Sequence, residues 1–325
     1  MNNSLKQIAK EIKKAKSIAI FTHINPDFDA FGSSMPLYYV LKKLNKQVVL
    51  FSKNKLTYQE GLLLDPSIIC SEDCREDDFD LFISTDTPAL HRLGDYSKIF
   101  ENTNNNTIVL DHHNNYDLKG KFNFIDPTYS SCSEITFEIL KLMKVKIEPF
   151  VATILYAGLS SDTNSFVNGN TNSASFMHGY ELSKLNADLI GVNQKLYRTK
   201  TLVEIDFKKY LYANYKVKED IAYCVIDYKT IKSLKGEKVN CSGFSTDLIS
   251  IENINYSFSI TEDETGLYDI SFRAKQGFSV NNIASALGGG GHVCASGAKI
   301  KAKSADSLVK KVISLIEKNK KQNRE

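Results

Sequence analysis

Thr107-Ile108-Val109-Leu110-Asp111-His112-His113 decides how this chain is read. Four β-branched or aliphatic residues run into a carboxylate and two imidazoles, followed by Asn114-Asn115-Tyr116. The segment reads as a short buried strand ending in a polar loop. A carboxylate and two imidazoles at a strand end make a compact set of hard and borderline metal ligands. An acidic loop with solvent-facing histidines would look the same in isolation, so the other loops must decide.

The arrangement recurs on both sides. Upstream, a helix with apolar Leu5, Ile8, Ala9 and Ile12 precedes a strand from Ser17 to Phe21. That strand leads into Thr22-His23-Ile24-Asn25-Pro26-Asp27-Phe28-Asp29. A helix is expected from near Ala30 through Leu37, Val40, Leu41 and Leu44, then a strand from Gln47 to Ser52, which makes a βαβ unit. In open α/β sheets, sites form where loops leave the carboxyl ends of strands. Asp27 and Asp29 stand two apart there and could address two neighbouring ions. A helix cap or Asx-turn explains one of them, but not His23, Asp27 and Asp29 together. A further strand, Asp80 to Thr85, ends in Asp86-Thr87-Pro88. Cys132 to Met143 has helical spacing at Ile135, Phe137, Ile139 and Leu140. Pro149 opens another helix, Phe150 to Leu159, that delivers Gly158-Leu159-Ser160-Ser161-Asp162-Thr163. Each of these loops carries an aspartate and two carry histidine, a pattern that independent solvated loops rarely produce.

At 325 residues the chain is long enough for two domains. A charged fraction of 24% and a net charge of +3 exclude a broad polycation, so any nucleic-acid contact has to be local. No apolar run approaches the roughly twenty residues of a membrane span, and the N-terminus lacks the apolar core of a signal peptide. The six cysteines, at 70, 74, 132, 224, 241 and 294, form no metal-type pairs and read as reduced, mostly buried thiols of a cytoplasmic protein. Residues 192–217 read as a helical connector between a first domain (1–191) and a second (218–325). In the second, Ile221 to Ile226, Tyr256 to Thr261 and Tyr268 to Lys275 read as strands of a mixed sheet. The last two form a hairpin across Glu262 to Gly266. A helix from Val280 to Leu287 precedes Gly288-Gly289-Gly290-Gly291-His292. A helix from Ser304 to Ile316 then runs into a Lys-rich tail, Glu317 to Glu325, expected to be frayed.

Taken together, His23-x-x-x-Asp27-x-Asp29, Asp86-Thr87-Pro88, Asp111-His112-His113, Gly158 to Thr163 and Gly288 to His292 resemble the DHH phosphoesterase superfamily, in its subgroup with a C-terminal DHHA1 domain. The pattern is most similar to bacterial nano-RNase/pAp phosphatases. The resemblance implies an α/β fold, with a mainly parallel DHH sheet flanked by helices and a smaller DHHA1 domain with a mixed sheet. It also implies a centre of two ions, usually Mn²⁺, with Mg²⁺ as the alternative. His23, Asp27 and Asp86 would hold one ion. Asp29, Asp86, His112 and Asp162 would hold the other, with Asp86 bridging. His113 would face the substrate, and Asp111 would orient its neighbours without touching an ion. Phe28 and Phe31 depart from the family's smaller or aliphatic residues but are not ligands. By the same resemblance Arg273, Gly289, Gly290, Gly291 and His292 bind the substrate's phosphate or nucleotide. A glycine run lets backbone N–H groups approach an anion, but it also suits a plain turn after a helix. Arg198, His91 and His178 read as surface or structural residues. Phe166 and Tyr116 could stack a base, although core packing is the commoner fate of such rings.

The implied activity is a metal-dependent phosphoesterase acting on short single-stranded RNA and on 3′-phosphoadenosine 5′-phosphate (pAp). Hydrolysis of cyclic di-AMP or linear pApA is the alternative. A catalytically silent nucleotide-binding module would be expected to lack a ligand, and none is lacking. A pyrophosphatase would carry a different C-terminal domain. A homodimer is left open.

Overall fold

The computed structural model describes residues 2–322, apart from 57–60, 62, 115, 234–241 and 265. The chain forms two compact units, Met1–Thr199 and Lys200–Glu325.

The first unit runs α1 (Leu5–Lys14), β1 (Ser17–Phe21), α2 (Phe28–Lys43), β2 (Gln47–Phe51), β3 (Ile69–Cys70), β4 (Leu81–Thr85), α3 (Ser97–Glu101), β5 (Thr107–Asp111), β6 (Phe122–Ile125), α4 (Cys132–Leu142), α5 (Pro149–Asp162), α6 (Ser173–Lys184) and α7 (Leu189–Asn193). Its sheet has the order β3-β2-β1-β4-β5-β6, and every pairing is parallel. β4 and β5 are buried along their whole length, as strands of a sheet covered on both faces must be. Side chains alternate between two cores. Ile18, Ile20, Leu81, Ile83, Ile108 and Leu110 join the core under the helices that carry Ile8, Phe31, Ile135 and Leu155. Ala19, Phe21, Phe82 and Val109 face the other core, with Phe51, Tyr96 and Phe100. Strand order reverses between β1 and β4, which makes their carboxyl ends the switch point where such sheets form sites.

Two helix limits differ from the sequence reading. α2 begins at Phe28, because Asp27 caps it and accepts hydrogen bonds from Asp29 and Ala30 N–H. Asp29 is therefore in the first turn of a helix. α5 extends to Asp162, which makes that residue the last of a helix.

In the second unit, α8 (Leu202–Asn214), β7 (Lys216–Lys218), β8 (Ile221–Ile226), α9 (Tyr228–Ser233), α10 (Ser242–Ile249), β9 (Tyr256–Glu264), β10 (Leu267–Ala274), α11 (Asn281–Ser285), β11 (Gly290–His292), β12 (Ala295–Lys301) and α12 (Ala305–Gln322) follow. The sheet order is β11-β12-β10-β9-β8-β7, antiparallel except for the β8–β9 pair, so it is mixed as expected. The expected connector is divided. Val192 and Leu196, the latter in a π turn (Gln194–Arg198), lie in the core of the first unit, while Phe207 and Leu211 pack with Ile226 and Phe244 in the second.

Other expectations need correction. The tail is helical to Gln322: Lys320 pairs with Asp220 and Glu317, and the Asn319 amide donates to Ser279 C=O. Residues 323–325 of that tail, Thr265 of the hairpin turn and Cys241 lie outside the described residues. Of the described cysteines, Cys132 and Cys224 are buried, and Cys70, Cys74 and Cys294 are half-buried.

Candidate metal centre

The loops of the first unit converge. His23 follows β1, and its Nε2 lies 3.7 Å from Asp86 Oδ2. Asp86 follows β4 with a left-handed φ of 55°, which aspartate tolerates better than most residues. Its N–H donates to Leu110 C=O at 2.9 Å, so the β4–β5 pairing continues into the loop. His112 follows β5. Its Nε2 lies 3.1 Å from Asp162 Oδ2, 3.4 Å from Asp86 Oδ1 and 3.7 Å from Asp29 Oδ2. Among the described residues, ligand atoms within 4.8 Å of one another form three groups: His23, Asp27 and Asp86; Asp29, His112 and Asp162; and Asp86, His112 and His113. Asp86 and His112 each belong to two of them. The six residues expected as ligands are thus brought together. Asp27 combines the two readings weighed for it, helix cap and candidate ligand.

His113 stands between Asp111 and Asp86. Buried Asp111 places Oδ1 2.8 Å from His113 Nδ1, and His113 Nδ1 is also 3.7 Å from Asp86 Oδ1.

The electrostatics are those of crowded like charges. Burial, then the carboxylates of Asp162 and Asp86, push the carboxyl of Asp29 well above its ordinary range. Burial also lifts Asp162, to about 6, despite His112. Asp86 goes the other way: burial opposes its charge, but hydrogen bonds from His112 and His23 and the charge of His113 hold it well below the carboxylate range. Burial would lower the imidazoles, yet the surrounding carboxylates leave His23, His112 and His113 raised. Among the described residues no well-formed hydrogen bond reaches the buried Asp86 Oδ1. A buried carboxylate oxygen with no well-formed hydrogen bond calls for a cation, and this donor set fits one.

Several contributors escaped the sequence reading. Cys132 N–H donates to Asp29 Oδ2 at 2.6 Å, and Ser133 N–H and Oγ–H donate to Asp29 Oδ1 at 2.9 and 2.5 Å. The carboxylate thus sits at the amino end of α4, where a negative charge is favoured. Tyr129 C=O lies 3.3 Å from His112 Nδ1. The Arg92 guanidinium lies 2.8 Å from His23 Nδ1, and Arg92 C=O accepts from Ile24 N–H. Nothing in a lone Arg or Tyr marks such roles; only Ser131 with Glu134, a capping-box spacing, could have located the α4 terminus.

His178 is buried between Glu134 and Glu138, at 2.8 and 2.9 Å. Burial would lower its imidazole, but the two carboxylates hold it at about 9. With an unfolded value near 6.5, the pair stabilises fully below about pH 6.5 and its contribution is lost as pH rises through about 9. Unfolding measured with chelator present should therefore show wild type losing on the order of 3 kcal/mol more than His178→Gln between pH 6.5 and 9.5. Equal losses would refute the charged pair.

His91 is exposed, as is Arg198. Phe166 stacks on Phe176 with ring centroids 4.9 Å apart, and Tyr116 is exposed.

Two of the C-terminal candidates, Arg273 and His292, share one sheet face. Arg273 on β10 pairs in register with Ala295 on β12, and Ala295 pairs with His292 on β11. Directly opposed residues point to the same side, so Arg273 and His292 flank the small Ala295. Burial lowers the Arg273 guanidinium, whose Nη1 donates to Phe272 C=O at 2.8 Å. The glycines differ. A Cβ on Gly289 would lie 2.1 Å from Gly297 O, and one on Gly291, whose φ is +140°, 2.7 Å from Ala295 O. Strand packing therefore requires both. Gly290 has open space and no unusual φ.

Residues 17–159 match the DHH family N-terminal domain, and residues 221–318 match the DHHA1 domain. The bifunctional oligoribonuclease and PAP phosphatase NrnA of Mycoplasma pneumoniae is 28% identical over 305 residues, spanning 92% of this chain and 92% of that protein. Its Mycoplasma genitalium namesake is 29% identical, spanning 91% of this chain and 92% of its own. An exopolyphosphatase-related protein from Bacteroides fragilis has a similar structure, with a TM-score of 0.90 at 26% identity over 99% of this chain and 97% of that one. The chain belongs to the DHH phosphoesterase family, with a DHH domain followed by a DHHA1 domain.

Proposed function

We propose that the chain is a cytoplasmic two-metal phosphoesterase that degrades oligoribonucleotides a few residues long to mononucleotides and dephosphorylates pAp. The observation that carries this reading is the sharing of Asp86 and His112 among three overlapping ligand groups at the switch point of a parallel sheet. Support for the substrates comes from full-length relatives named for those two activities.

His23, Asp27 and Asp86 would hold one ion, and Asp29, Asp86, His112 and Asp162 the other. Mixed carboxylate and imidazole donors favour Mn²⁺ over Mg²⁺, which prefers oxygen and water. When bound, the ions supply an activated water and countercharge for the phosphoryl oxygens. His113, anchored through Nδ1 to Asp111, would face the substrate and assist the leaving oxygen as a general acid. Arg273, His292 and the backbone of Gly289 to Gly291 would hold the phosphate or nucleotide away from the cleaved bond.

Turnover of pAp, of a ribonucleotide dimer-to-pentamer series and of cyclic di-AMP tests the assignment. The short oligomers and pAp should be the best substrates. Clear preference for cyclic di-AMP or pApA would overturn the substrate assignment and leave the metal centre standing.

A further inference from the structure

The turn from Asp126 to Glu134 holds two of the candidate ligands from outside the centre. Its Tyr129 carbonyl meets His112 Nδ1, and its Cys132 and Ser133 donors hold Asp29. The turn is itself fixed from behind. Glu134 Oε2 accepts from Ser130 N–H at 2.7 Å and Ser131 N–H at 3.0 Å, while Oε1 faces His178 Nδ1 at 2.8 Å. The His178 ring also stacks parallel to Tyr129, with centroids 6.4 Å apart. A continuous path thus runs from His178 on α6 through Glu134 and the turn to Asp29 and His112.

We propose that His178 is a positioning residue for the metal centre, setting the orientation of Asp29 and His112 through Glu134 and Tyr129. The proposal rests on the two-metal reading above. Partners that orient metal ligands from one contact away commonly change affinity by about 10- to 100-fold when removed. His178 acts from further out, through a turn, so the lower end of that range is expected. Glu138 meets the opposite nitrogen of the ring and is paired with Lys141, so it serves as the control.

Mn²⁺ binding to the full chain, followed by calorimetric titration, tests the idea, with unfolding curves in chelator reporting the fold separately. His178→Leu should bind Mn²⁺ about 10-fold more weakly, His178→Gln should recover most of the affinity, and Glu138→Gln should match wild type. A folded His178→Leu with wild-type affinity overturns the proposal. Should that variant fail to fold, Glu134→Gln, which keeps the shape of the helix cap, must show the weaker binding, and unchanged affinity there overturns it equally. Wild type that binds no Mn²⁺ would refute the metal centre and this proposal together, whereas failure of His178 alone leaves wild-type binding intact.

Discussion

Asp86→Asn is expected to lower metal-dependent hydrolysis by about 1,000-fold or more while leaving the fold intact. Among the described residues Asp86 is the one carboxylate that faces His23, His112 and His113 at once. The substitution keeps the side-chain shape, and asparagine is among the residues best suited to the positive φ at this position. Its main-chain bond to Leu110 is untouched. The charge shared by both proposed ions is lost, so the two sites weaken together. Steady-state kinetics on pAp with circular dichroism of the same sample checks this. A well-folded variant with near-normal activity would refute the two-metal mechanism.

Gly158→Ala should destabilise the first unit by about 3 kcal/mol, lowering its melting temperature by roughly 10 °C. α2, α4 and α5 meet at Gly32, Ser133 and Gly158. A Cβ on Gly158 would lie 1.9 Å from Ser133 Oγ and 2.8 Å from Asp29 Oδ1, and one on Gly32 would lie 2.7 Å from the Gly158 Cα. α2 and α4 cannot move apart to make room without breaking the buried bonds of Ser133 to Asp29. The substitution therefore strains the core and displaces a candidate ligand in one step. Thermal unfolding in chelator reads the first effect and Mn²⁺ titration the second. An unchanged melting temperature would show that the helices can separate freely.

The central strands were legible because their signal is strong: β1, β4 and β5 are unbroken apolar runs bounded by polar loops. The edges were not. β3 has only two residues, and β6 is half-buried along most of its length. β11 is Gly-Gly-His, without an apolar side chain to read. α6 was hidden by inverted polarity, since it buries Ser175, His178 and Gly179 while Phe176, Met177 and Tyr180 are exposed. The candidate ligands were legible because aspartate, twice with histidine, recurs in successive loops of the first unit. Most of their supports were not, because Tyr129 acts through its carbonyl, Cys132 through its backbone N–H, and Ser133 through its N–H as well as its hydroxyl. A main-chain contact leaves no trace in side-chain identity. The glycine run shows the reverse problem: strand packing accounts for Gly289 and Gly291, so their presence alone does not argue for a phosphate cradle.

The central claim is that two ions share Asp86. Counting Mn²⁺ bound per chain at saturation tests it most directly, in wild type, His23→Ala and Asp162→Ala. Two ions are expected in wild type and one in each variant, because His23 and Asp162 belong to different ligand groups. A single ion in wild type, or loss of the same ion in both variants, would contradict the account.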